Sequence, residues 1–145
     1  MFSPLTHDNI ELLLPLVRAY QEFYQVPVDD NKNRAHFSRF IQDTQRGIVY
    51  LVFKGKIAVG FCTLYFSFSS AKAEEIAILN DLYVIPEYRN HGIGRSLIER
   101  AREEVRSRNI TRLQWLTALN NIAAKKLYDS FNAAKSDWTL YVLEP

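Results

Sequence analysis

The run Arg89-Asn90-His91-Gly92-Ile93-Gly94 carries residue types suited to binding phosphate. It lies between an apolar, strand-like segment (Ala77 to Val84) and a helix-like one (Ile93 to Arg106), and it holds two of the chain's five glycines. Glycine lets the backbone approach an anion, and the first turn of a helix leaves its N–H groups free. The helix dipole adds about half a positive charge at that end. The chemistry this predicts is capture of a phosphate or pyrophosphate. The same residues also describe an ordinary glycine-containing helix start. The run is not a dinucleotide fingerprint, which opens the first strand–helix unit with three glycines, and no Gly-Lys-Ser/Thr follows to make a Walker loop.

Other residue types exclude more than they propose. The helix after the loop is rich in arginine (Arg95, Arg100, Arg102, Arg106, Arg108) but is interleaved with Glu99, Glu103 and Glu104. It reads as a solvated face, with one or two arginines left for ligand phosphates. With 18 basic and 16 acidic residues the net charge is only +2, which speaks against a dedicated nucleic-acid binder. The one cysteine, Cys62, rules out an internal disulfide and fits a reducing cytoplasm. It sits in an apolar strand-like run and reads as a buried structural thiol. His7, His36 and His91 have no Cys or His partners at metal-ligand spacing, so no metal is expected. The N-terminus lacks a basic-then-apolar signal pattern and no run is long enough to cross a membrane, so a cytoplasmic protein with no membrane partner is expected.

The elements that must position the loop follow from periodicity. A chain of 145 residues, 48% hydrophobic and 13% aromatic, suits one compact domain over residues 1–145. Thr6 or Asp8 can cap a first helix running to about Phe23, with Pro15 predicting a kink or break. Asn33 to Gln45 reads as a second helix ended by Gly47. Ile48 to Phe53 and Lys56 to Phe68 read as strands joined in a hairpin at Lys54-Gly55, with a polar loop to Lys72. Ala77 to Val84 is a third strand, followed by the glycine loop and the long helix. Leu113 to Thr117 reads as a strand, Ile122 to Ser130 as a short helix, and Thr139 to Leu143 as a final strand. The unit from Ala77 to Thr117 should form a right-handed parallel crossover in a mixed α/β sheet.

Two stretches now resemble a known family. Leu79-Asn80-Asp81-Leu82-Tyr83-Val84, with Tyr88 through Ile98, resembles the signature acetyl-CoA motif of the GNAT N-acetyltransferases. Asn121-Ile122-Ala123-Ala124-Lys125-Lys126-Leu127-Tyr128 resembles their second motif. The resemblance covers nearly the whole chain. The segment Tyr20 to Gln25, the Trp115-Leu116-Thr117 strand and the ending Ser136-Asp137-Trp138 are similar to the subgroup of small histone/polyamine-type and diamine (spermidine/spermine) acetyltransferases. The resemblance implies the GNAT fold: a mixed, mostly antiparallel sheet of about six or seven strands, a central splayed parallel pair and flanking helices. It implies acetyl-CoA as co-substrate and no metal. The acceptor is expected to be a primary amine of a small molecule, polyamine-like or another amino compound, with a protein or histone lysine as rival and a non-catalytic coenzyme-binding module as a further alternative. Such relatives are commonly homodimers that meet through C-terminal strands, and Trp138 to Val142 is compatible with that or with a core strand.

The resemblance also assigns residues. Arg89, Asn90, His91, Gly92, Ile93, Gly94 and Arg95 would hold the pyrophosphate. The backbone of Leu82, Tyr83 and Val84 would pair with the pantetheine arm as an added strand. Asn121 would bond that arm, with Lys126 on the same helix also on the coenzyme. Tyr128 would protonate the leaving thiolate as general acid, although a core tyrosine is the plainer reading. The attacking amine must shed a proton, since alkyl amines with pKa near 10 are mostly charged at neutral pH. Asp81 is the first choice of base, with a structural role as the alternative. Asn80 stands where relatives often carry Glu and could orient a water. Tyr20, Phe23, Tyr24 and Glu75 should border the acceptor, and Glu22, Asp29 and Asp30 could draw in a cation. Asn132-Ala133 replaces the Gly-Phe of many relatives; asparagine tolerates the left-handed conformation that turn needs.

Overall fold

The computed structural model describes residues 1–145. Five strands form one sheet in the order β1 (Phe2–Pro4), β2 (Gly47–Lys54), β3 (Ile57–Ser69), β4 (Glu74–Val84) and β5 (Leu113–Gln114). The first four are antiparallel, and only β4 and β5 run parallel. Helices α1 (Ile10–Phe23) and α2 (Asp30–Gln42) cover one face. Helix α3 (Ile93–Ser107) covers the other, and α4 (Ile122–Asp129) leans on its edge.

Each layer follows from a local pattern. Ile10, Leu13, Leu14 and Val17 repeat at helical spacing and bury the inner face of α1. The helix runs through Pro15 without a break, because the ring is exposed and the carbonyl of Glu11 that loses its donor also faces water. Asp29 caps α2 by accepting from the Lys32 amide at 3.0 Å, so the helix starts at Asp30, three residues before the Asn33 expected from periodicity. Gly47 opens β2 rather than closing α2: a Cβ there would lie 2.5 Å from the Leu64 carbonyl oxygen across the hairpin. The β2–β3 hairpin turns at Gly55-Lys56, with Gly55 at φ 59°.

The expected six or seven strands are five. The short strand β1 contains a proline and has no readable alternation; it forms because the β2 edge offers it hydrogen bonds. Thr139 to Leu143 is not a strand, and from Ala133 to Pro145 the chain lies exposed with no ladder partner. Strand identity needs an edge to pair with, and this segment finds none in its own chain.

Candidate active site

The site begins with an irregularity in β4. Thr63 on β3 pairs with Asp81, but its neighbour Leu64 pairs with Leu79, so Asn80 is an extra residue bulged out of the ladder. A bulge inverts the alternation of side chains beyond it. Leu79 therefore packs under α3, whereas Tyr83, four residues on, packs under α1 and α2. Asp81 is turned toward the α1–α2 side with it. There it helps line a cavity of about 300 Å³ with Tyr20, Asn33, His36, Tyr65 and Asn80.

Two acids of the chain are buried, Asp81 and Glu104, and their surroundings differ. Burial alone would raise Glu104, but hydrogen bonds from Tyr50 and Arg108, and the charge of Arg100, hold its carboxyl below the usual range. Asp81 is 7% exposed and forms no ion pair. Burial raises its pKa, and the hydroxyls of Thr63 and Tyr20 and the Asn80 amide only partly offset this. Asn80 Nδ2 donates to Asp81 Oδ1 at 3.1 Å. A buried carboxylate with a raised pKa that faces a cavity marks a candidate functional site. Burial and the nearby Asp81 likewise raise the Tyr20 phenol.

The other edge of β4 is open. Strand β5 pairs only with Ala77 and Ile78, and the two strands then separate, leaving Leu82 to Val84 without a partner on that side. An extended amide chain can add there as a strand. Arg89 now lies across this edge, donating from Nε to the Val84 carbonyl at 2.8 Å, with its guanidinium over the rings of Tyr83 and Phe23. A chain pairing with Val84 must displace it.

Below the open edge lies the glycine loop. Asn90 and Gly92 both take positive φ, 63° and 78°, and Gly92 is the N-cap of α3. The amides of Asn90 through Arg95 donate to no group of the chain, so a row of free N–H groups surrounds the helix N-terminus. Gly94 has no room for a side chain without pressing on Leu127 of α4, 3.1 Å from a Cβ. This nest suits a pyrophosphate, and the open strand edge above it suits the amide arm of coenzyme A. The His91 ring is turned back onto the Arg89 carbonyl at 2.7 Å. Arg95 reaches Ser130 Oγ at 2.6 Å and covers the Phe131 ring, tying α3 to the end of α4.

Helix α4 carries the second set of expected residues. Asn121 is its N-cap and accepts from the Ala124 amide at 3.3 Å, which leaves its side-chain N–H groups free. Lys126 is exposed on the helix surface. Tyr128 is half-buried against Trp115, ring centroids 5.3 Å apart, and its hydroxyl makes no hydrogen bond within the chain. Burial raises its pKa, and Tyr24 adds to the shift, so the phenol stays protonated at neutral pH. After the helix, Asn132 takes the left-handed conformation at φ 55°.

A model of the Acetyltransferase (GNAT) family matches residues 13–132. The chain belongs to this family. It is an acyl-CoA-dependent N-acetyltransferase, and GNAT enzymes transfer acetyl groups from acetyl-CoA to amines. The D-amino-acid N-acetyltransferase of Saccharomyces cerevisiae is 31% identical over 128 residues, 87% of this chain and 79% of that protein. The thialysine N-epsilon-acetyltransferase of Caenorhabditis elegans is 26% identical over 136 residues, 92% of this chain and 84% of that protein. The crystal structure of a probable acetyltransferase superposes with a TM-score of 0.88 at 28% identity, covering 100% of this chain and 97% of that one.

In this GNAT domain the loop, the open edge of β4 and the Asn80–Asp81 bulge lie along one strand–helix unit. Tyr20 and Tyr24 stack edge to face at 4.9 Å beside the cavity, with Phe23 exposed next to Tyr24. Glu75 is not part of this group. It sits near the start of β4 among Phe68, Ser69 and Ser70, and the strand between it and Asp81 spans roughly 20 Å. Asp29 reaches the cavity mouth, while Asp30 is taken by an ion pair with Arg18. His36 and Tyr65 line the cavity without any motif marking them: His36 is one polar position on an amphipathic helix, and Tyr65 one aromatic on a strand full of them. Cys62 is fully buried with its thiol pushed up to about 12 by burial, as suits a structural residue. No helix is long and apolar enough to cross a membrane, and no His, Cys, Asp and Glu cluster is arranged to hold a metal.

Proposed function

We propose that this acetyltransferase acts on the primary amine of a small molecule, polyamine-like or another amino compound, by direct attack in a ternary complex. The observation that carries the proposal is the Asn80 bulge. It turns one carboxylate without a cationic partner, Asp81, into a half-open cavity at the point where the edge of β4 opens for the acetyl donor. Asp81 draws an ammonium in, and Asn80 fixes the carboxylate's direction. The Arg89–Gly94 loop and Asn121 hold the two ends of the coenzyme arm. Tyr128, protonated and unengaged, gives its proton to the departing thiolate.

The cavity, about 300 Å³, has room for a small amine. The two relatives named for D-amino acids and for thialysine support the same class. Nucleic acid is not a partner in this reading, because Arg100, Arg102 and Arg108 are spent on Glu103, Glu99 and Glu104 and Arg95 on Ser130. A cytoplasmic setting accords with the single reduced thiol. A homodimer would cover the exposed run Trp138 to Leu143. The test is an acceptor screen with acetyl-CoA, reading thiol release with polyamines, amino acids and a lysine-containing peptide. Turnover of the peptide alone overturns the small-molecule assignment. Release of no thiol with any acceptor leaves a coenzyme-binding module.

A further inference from the structure

A hydrogen-bonded line runs along one wall of the acceptor cavity. His36 Nε2 on α2 lies 3.3 Å from the Tyr65 hydroxyl on β3. Asn80 Nδ2 donates to that hydroxyl at 3.4 Å and to Asp81 Oδ1 at 3.1 Å. The amide nitrogen carries two hydrogens, one for each acceptor, and in the His36 tautomer with the proton on Nδ1 the Tyr65 hydrogen points at Nε2. Both rings are held: Phe40 stacks on Tyr65 at 5.4 Å, and Phe37 and Phe40 meet the His36 ring edge to face.

Asp81 is poorly placed to dispose of a proton. The Asn80 amide that bonds it is a donor and cannot carry a proton onward, and the Tyr20 and Thr63 hydroxyls beside it have no further hydrogen-bond partner in the chain to pass one to. We infer that the acceptor's ammonium loses its proton through Tyr65 to His36, with Asp81 serving as counter-charge. This rests on the acetyl-transfer reading. Tyr65 takes the proton on its oxygen while its own passes to His36 Nε2, and half-buried His36 releases it to solvent. The neutral amine then forms the new N–C bond as the C–S bond breaks. The second N–H proton balances the one that Tyr128 gives to the thiolate and regains. Tyr65 touches the substrate; His36 is a positioning residue behind it.

The charges around His36 suit this role. Burial and Arg39 lower its pKa, while Asp81 opposes them, so the ring is neutral and able to accept at neutral pH. The remaining ionisable groups on the wall are Tyr20 from α1, and Asp29 and Lys32 at the start of α2.

The test is kcat/KM against pH for the wild type, His36→Gln, Tyr65→Phe and Asp81→Asn, with acetyl-CoA and thialysine, D-phenylalanine or spermidine as acceptor. His36→Gln and Tyr65→Phe should each lose about 10²-fold near pH 7, and the loss should shrink as pH nears the amine's own pKa of about 10. The double variant should be no worse than either single one. Asp81→Asn should lose activity at every pH. Unchanged melting temperature and acetyl-CoA affinity in His36→Gln and Tyr65→Phe, and a melting temperature no lower than wild type in Asp81→Asn, exclude misfolding, and added imidazole should restore part of the activity of His36→Ala. A wild-type profile in His36→Gln, or a parallel drop at all pH values, overturns the route while leaving acetyl transfer intact. A wild-type chain inactive with all three acceptors overturns both.

Discussion

Up to Ile110 the chain buries a core on each side of its sheet; from Thr111 to Pro145 no residue is fully buried. The first region holds the acceptor cavity, the open edge of β4 and the phosphate nest. The second supplies Asn121 and Tyr128. Its helix α4 has eight residues, too few to be stable alone. It is held by Leu127, Tyr128 and Phe131, half-buried against the α3 core, and by the Arg95–Ser130 contact. In the proposed reaction the first region thus presets where donor and acceptor meet, while Tyr128, the proposed proton donor, arrives on a lightly anchored element. Donor binding between the two regions should complete the site, as binding to the folded state stabilises what it touches.

The largest effect that tests this division is on stability. Phe61 is fully buried between α1, α2 and the sheet, so Phe61→Ala should cost about 3–5 kcal/mol in urea unfolding. Leu140→Ala, in the exposed run, should change it by less than about 0.5 kcal/mol. If Leu140→Ala instead destabilises and shifts a sedimentation profile toward a smaller species, the tail is a dimer contact. Next, Tyr128→Phe should lower kcat about 10²-fold with little change in the KM for acetyl-CoA, checked by thiol release; unchanged turnover would remove the general-acid assignment.

Coenzyme A should slow amide exchange in Asn121 to Phe131 far more than in α1, read by hydrogen–deuterium exchange. Equal protection of both would break the comparison. Asp81 offers a smaller test inside the first region. Because burial raises its pKa, its contribution to stability is fully present in acid and is lost as pH rises through the folded-state value. Asp81→Asn should therefore melt higher than the wild type at pH 8, and the difference should close below about pH 4. Glu104→Gln should do the reverse, since its folded pKa is lowered. The smallest effect is Gly92→Ala, about 1 kcal/mol from forcing alanine to φ 78°, with weaker acetyl-CoA binding as the second readout.

By itself the sequence determined the strands from β2 to β4, helices α1 and α3, and the glycine loop between β4 and α3. Their signals are local: alternation, helical spacing and a glycine free to take positive φ. Through the resemblance of the loop and the Asn121–Tyr128 helix to the GNAT motifs it also pointed to the donor, because both motifs are contiguous. Only the tertiary structure formed the cavity proposed for the acceptor. Asn80 becomes a bulge through its pairing with β3, and that bulge alone turns Asp81 toward the cavity. His36 and Tyr65, 29 residues apart, meet only when α2 packs on β3. The same holds for the failed strand at Thr139 to Leu143 and the unforeseen one at Phe2–Pro4. A strand is defined by the edge it pairs with, and the position of that edge depends on how distant parts of the chain pack.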